Sequence, residues 1–250
     1  MLIQNKGGFA GERAQVKPPP PYESFVEVVK AFPNTQSVSI ITFNYDVALD
    51  YALHYAGVSV DYCLGNCKPS LVELLKLHGS LNWGKCKQAG CPQRVVPWQM
   101  KDFFSGRDWG PLHTQKFVTL GLTRHFNQLE HCGSPVLAEP VLVPPTWNKG
   151  YYHLGLETVW RRAAERLSQA ENIIVIGYSM PPTDEFFKYF FALGSVGDTW
   201  LSRVWIFNPD EAAARRFSEL LGPQSKARFQ HFPEQFSTAV ETLRRETPQF

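Results

Sequence analysis

From Ser37 to Phe43 the chain reads Ser-Val-Ser-Ile-Ile-Thr-Phe, a β-branched apolar run of the kind that fills a strand buried on both faces of a parallel sheet. Ile173-Ile174-Val175-Ile176 and the run from Arg203 to Phe207 repeat the pattern, and Val58 to Tyr62 reads as a further strand. Helical spacing lies between these runs. Phe25, Val28, Val29 and Phe32 fall on one face of a helix that opens at Ser24 and closes at Pro33-Asn34. VALDYALHYAG continues as a helix to its stop at Gly57, and Pro69 to Leu75 reads as a short one. A helix of about 20 residues ending at Ala170 directs Trp160, Ala163, Ala164 and Leu167 inward. Pro181-Pro182-Thr183-Asp184 opens another, with Thr183 or Asp184 as N-cap. Residues 211 to 221 and the segment FPEQFSTAVETLRR supply the last two.

Buried strands alternating with amphipathic helices define an α/β fold, a Rossmann-like parallel sheet covered by helices on both faces. Residues 84–140 break the rhythm with frequent Cys, Trp and Pro and poor periodicity, which marks a small loop-rich inserted subdomain. Residues 1–23, ending in Pro18-Pro19-Pro20-Pro21-Tyr22, read as a tail or linker before a domain over 24–250. In sheets of this kind ligands sit beyond the carboxyl ends of the strands. Those ends carry Asn44 and Asp46, Gly177 and Ser179, and Asn208 and Asp210, so three strand ends are expected to share one crevice.

With 250 residues, a net charge of +2, 44% hydrophobic and 19% charged residues, the composition excludes disorder and gives no electrostatic pull on nucleic acid. No apolar run is long enough to span a bilayer, and MLIQNKGGFAGERAQ lacks the apolar core of a secretory signal. Neither membrane association nor direct nucleic-acid binding is indicated. Five cysteines without a regular framework suit thiols or metal ligands in a reducing, cytoplasmic setting.

Single residues admit two roles each. A lone His78 is a core histidine bonded to a carbonyl or an acid-base group; Asn44 is a turn former or an amide that orients a water. Asp46 caps the next helix or faces a ligand. Gly177 to Ser179 is a tight strand-to-helix turn or a place where backbone approaches a phosphate or ribose.

Five segments bear on that choice: ITFNYD at 41–46, KLHGSLNW at 76–83, VPPTWNK at 143–149, IIVIGYSMPPTD at 173–184 and IFNPD at 206–210. In this order they resemble the sirtuin-like NAD-binding domains of bacterial proteins, many of which consume NAD in antiviral defence, over roughly residues 24–240. The resemblance implies NAD as substrate, with His78 and Asn44 catalytic at the nicotinamide ribose and Thr42, Asp46, Gly177, Tyr178, Ser179, Asn208 and Asp210 lining the nucleotide. It implies hydrolysis of NAD to nicotinamide and ADP-ribose. The alternatives are an impaired NAD or ADP-ribose binding module or truncated remnant and, third, an NAD-dependent protein deacylase. A homo-oligomer or an effector partner is compatible with either.

Cys86 and Cys91 follow the His-Gly pair as the first zinc-ribbon pair does in the family, but with four intervening residues instead of two. Where a second pair would stand, Cys132 remains, with His131 as the substitute fourth ligand of one structural zinc. Cys63 and Cys67 lie outside that pattern and read as ordinary thiols. The family's opening strand and glycine phosphate loop is the main departure. Lys6-Gly7-Gly8-Phe9-Ala10-Gly11 has the glycines without a strand before them, so the chain is expected to be N-terminally truncated.

Overall fold

The computed structural model describes residues 3–4, 16–32, 34, 37–68, 71–100, 128–137, 139–143, 155–181, 187–188, 191–192 and 201–246. The chain divides into two compact units, residues 1–159 and 160–250. Each carries its own three-stranded parallel ladder, as expected of the α/β class.

In the first unit, β1 (Ile3–Gln4) and β2 (Val16–Lys17) form a short antiparallel pair, and helix α1 (Pro20–Ala31) follows. The helix begins inside the stretch read as a tail. Pro20 and Pro21 occupy its first turn, where an amide proton has no partner to lose and proline's fixed φ suits the helix. Pro19 O accepts Tyr22 N at 2.9 Å, and Val26, Val28 and Val29 face the core.

The ladder runs β3 (Ser39–Thr42), β5 (Val72–Lys76), β4 (Val60–Asp61), all parallel, with α2 (Ala48–Tyr55) crossing from β3 to β4. The segment expected as a helix from Pro69 to Leu75 is therefore corrected to the central strand β5. Its adjacent leucines fit either period, and burial decides: all of β5 is buried, between two strands. Ser39 donates its hydroxyl to the buried Glu73 at 2.9 Å across the β3–β5 pair.

Beyond β5, β6 (Gly79–Ser80) pairs antiparallel with β11 (Val141–Leu142). Among the described residues of the stretch 84–140, β7 (Trp83–Lys85) pairs with β8 (Val95–Pro97), and β9 (Glu130–His131) and β10 (Ser134–Pro135) form a hairpin with a two-residue turn. Cys132 and Gly133 form that turn at φ of 53° and 74°, the paired positive values that match hairpin twist. Val47, Val96, Trp98, Met100 and Val136 form the core beneath it.

In the second unit, which α3 (Glu157–Ser168) leads into, β12 (Asn172–Ile176), β13 (Arg203–Phe207) and β14 (Phe229–Phe232) pair in parallel with β13 central. The strand β14 was not legible in the sequence. Helices α4 (Glu211–Leu220) and α5 (Phe236–Glu246) bury Ala213, Ala214 and Phe217, and Ala239, Val240 and Leu243. Phe207 and Phe232 stack at 4.5 Å on neighbouring strands. On α3, Trp160 and Ala163 are buried as expected, while Ala164 and Leu167 are half-buried. The helix expected after Pro181, with its Thr183 or Asp184 cap, lies largely outside the described residues, as do Lys6 to Gly11 and most of VPPTWNK.

Gly79 holds the crossing of β6 and β11: at φ 79°, a Cβ there would stand 2.0 Å from the Val141 carbonyl oxygen. Gly57 shares the positive φ, at 74°, with open space around it. Gly79→Ala is thus expected to cost about 3 kcal/mol and Gly57→Ala about 1 kcal/mol in urea unfolding, strain plus clash against strain alone. Equal losses would contradict the assignment.

Candidate functional site

Thr42 and Lys76 are partners on the last rung of the β3–β5 ladder, closed by Leu77 N donating to Thr42 O at 2.9 Å. Parallel strands end together, so Asn44 and His78 both emerge two residues past the same rung. Asn44 is exposed and His78 buried. The Thr42 hydroxyl accepts the Asn44 amide at 3.1 Å, which fixes the turn's backbone. The His78 ring meets the Phe43 ring edge-on at 5.1 Å, and its carbonyl accepts Val143 N at 3.0 Å. A buried imidazole and an exposed amide residue thus follow the same sheet edge. Asp46 Oδ1 accepts Ala48 N at 2.9 Å in the turn that leads into α2, whose N-cap position is Val47.

In the second unit, β12 and β13 end on the rung Ile176–Phe207, and Gly177 N donates to Phe207 O at 2.9 Å. Gly177 has φ 73°, and among the described residues no atom lies within 4 Å of where a Cβ would stand. Tyr178 is packed edge-on against Phe187 and Phe217, and Ser179 is exposed. Asn208 is buried and spends its amide internally: Nδ2 donates to Tyr178 O at 3.2 Å and Oδ1 accepts Asp210 N at 2.9 Å. Asp210 caps α4 through Ala212 N at 2.9 Å. Arg216 Nε and Nη2 both donate to Ser179 O, at 3.1 and 2.7 Å. In the geometry shown, Asn208 and Asp210 shape the turn.

Sequence reading missed Lys76, Asp50, Arg216 and His231, whose Nε2 lies 2.8 Å from Asn208 O. For the first two a signal existed: single charges inside the apolar windows LLKL and VALDYAL.

Cys86, Cys91, His131 and Cys132 do converge, with their ligand atoms all within 4.8 Å of one another. Cys91 Sγ lies 3.6 Å from both His131 Nδ1 and Cys132 Sγ, and Cys132 Sγ lies 3.3 Å from His131 Nδ1. A tetrahedral ion with bonds of about 2.0 to 2.3 Å needs donors roughly 3.5 to 3.8 Å apart; Cys91, His131 and Cys132 stand near those spacings, Cys86 lies within 4.8 Å of them, and the donor set of three thiols and one imidazole suits zinc. His131 beside Cys86 lowers its thiol to about 7, whereas the neighbouring Cys91 thiol and burial push Cys132 up to about 11. Cys63 stands apart: burial foremost, with the Cys67 thiol and Asp61 nearby, drives its own thiol far up, as suits an inert thiol.

No protein-family model matches the chain, and no curated protein matches it. Among solved structures its fold is similar to that of a mutant Sir2 homologue in complex with ADP-ribose, at 16% identity and a TM-score of 0.46, covering 94% of this chain and 68% of that one. It is similar also to Sir2 with a p53 peptide and NAD+, at 14% identity and a TM-score of 0.45, covering 94% and 72%. Among the described residues no helix is long and apolar enough to cross a membrane.

Zinc binding needs the thiols deprotonated, so affinity is expected to rise with pH and metal to leave on acidification. Protein purified with zinc should hold about one ion per chain by elemental analysis. Cys91→Ser should lose most of it and melt lower. Full-length folded protein that takes up no zinc at neutral pH would remove the site.

Proposed function

We propose that the chain binds NAD and hydrolyses it to nicotinamide and ADP-ribose. The observation that carries this reading is the placement of Asn44 and His78 two residues past one rung of the β3–β5 ladder, on the edge where parallel sheets take their ligands. The motif order ITFNYD, KLHGSLNW, IIVIGYSMPPTD and IFNPD supports it.

Nicotinamide in NAD is a pyridinium, so it departs as a neutral molecule with the electron pair of the glycosidic bond and needs no proton. The site must instead place a water and steady the oxocarbenium character of the ribose. Asn44, exposed at the edge, offers both a donor and an acceptor to hold that water. As the water oxygen bonds to the anomeric carbon, His78 accepts its proton and returns it to solvent. Packing of the His78 ring edge-on against Phe43 restricts its movement, which favours a base that must meet a water at a defined angle. Taken by itself, the second unit carries the Gly177–Ser179 turn at the carboxyl end of β12, its backbone bonded by Asn208 and Arg216, and the same rule supports a ribose- or phosphate-binding role for it. Zinc in the Cys86, Cys91, His131 and Cys132 cluster acts in this scheme as a structural ion, with four protein ligands and no open position for chemistry.

Nicotinamide release from NAD, followed by chromatography, tests the proposal. Wild type should release it, His78→Ala should lower the rate by at least about 100-fold, and Asn44→Ala by roughly 10- to 100-fold. Equal release by wild type and His78→Ala would overturn hydrolysis here. NAD binding without release would leave a binding module, and release stimulated only by an acyl-lysine peptide would point to deacylation.

A further inference from the structure

Beneath the Asn44 turn lies a closed polar network. Lys76 and Asp50 are each 1% exposed and form an ion pair at 2.8 Å. Lys76 Nζ donates also to the Asp46 carbonyl. The other oxygen of Asp50 accepts the Tyr62 hydroxyl at 2.7 Å, and that hydroxyl accepts Asn82 Nδ2 at 3.2 Å. Asn82 donates to Trp98 O at 2.9 Å as well, and its Oδ1 accepts the Ser80 hydroxyl at 2.6 Å. Burial and the Asp50 carboxylate raise Tyr62 well above the ordinary tyrosine range, so it remains a donor.

Such a pair gives up hydration that its mutual attraction barely restores, and apolar residues of similar size hold a core equally well. What an apolar pair cannot do is grip a carbonyl. Lys76 stands two residues before His78, and the carbonyl it grips belongs to Asp46, two residues after Asn44. The far end of the network, Ser80 and Asn82, lies just past His78, and Leu81 N closes the bracket on Tyr45 O at 2.9 Å. Both strand-end turns are therefore tied to one buried scaffold, on either side of the two residues proposed to act on NAD.

We propose that Lys76 and Asp50 are positioning residues that fix the Asn44 turn relative to His78. This rests on the hydrolase reading for its catalytic consequence, but not for its structural one. Removing both charges together, in Lys76→Met/Asp50→Asn, avoids stranding either ion. The variant should remain folded, lose at least 30-fold in kcat with KM for NAD within threefold of wild type, and show at least tenfold faster hydrogen exchange at Leu81 N–H, with β13 amides unaltered. Tyr62→Phe removes only the hydroxyl that links Asn82 to Asp50, and should give the same two changes at three- to tenfold. It serves if the double variant does not fold. Unchanged Leu81 exchange in a folded variant, or unchanged kcat in an active enzyme, would overturn the proposal. If the wild type releases no nicotinamide, the hydrolase reading fails, and Leu81 exchange alone decides the positioning role.

Discussion

The parallel pairing of β3 with β5, ending at the Thr42–Lys76 rung, is the constraint on which the first unit depends. Parallel strands must finish on one edge, and a strand buried on both faces tolerates no slip of register. The turns that follow are then fixed in height, and the residues they display become neighbours by geometry although 34 positions separate Asn44 from His78. Around that rung, backbone bonds hold the direction of the chain, Gly79 lets β11 cross, and the Lys76–Asp50 pair grips the turn from below.

The second unit repeats the principle by other means. Its Ile176–Phe207 rung ends in a glycine turn held from one side by the Asn208 amide and from the other by the Arg216 guanidinium. In both units, a buried or half-buried polar group holds the backbone of an open turn in place. The cysteine and histidine cluster belongs to a third kind of order, in which two short antiparallel elements meet through the chemistry of their tips.

Much of this was legible in the residues. β-branched runs marked β3, β12 and β13 because a doubly buried strand needs apolar groups on both sides, and Asn44 and Gly177 were visible as the polar or glycine residues that end such runs, whereas His78 stood out only through the motif KLHGSLNW. Four things were not, the short strand β14 among them. β5 was read as a helix because Leu74-Leu75 carries no period and Pro69 suggested a helix start; only its place between two strands settles it. Helix α1 starts earlier than expected because proline breaks helices everywhere except in the first turn. The buried network was not read because, although Lys76 and Asp50 stand out as single charges in apolar windows, their partners lie far along the chain. The four cysteine and histidine residues singled out in the sequence lie together in the structure, since their side-chain chemistry marks them whatever the spacing.

The central claim is that Asn44 and His78 face one ligand, and side-chain NMR during NAD titration tests it most directly. The Asn44 carboxamide and His78 imidazole signals should shift together with a single midpoint, while the His131 imidazole in the cysteine–histidine cluster remains unmoved. Shifts at only one of the two, or at neither, would contradict it.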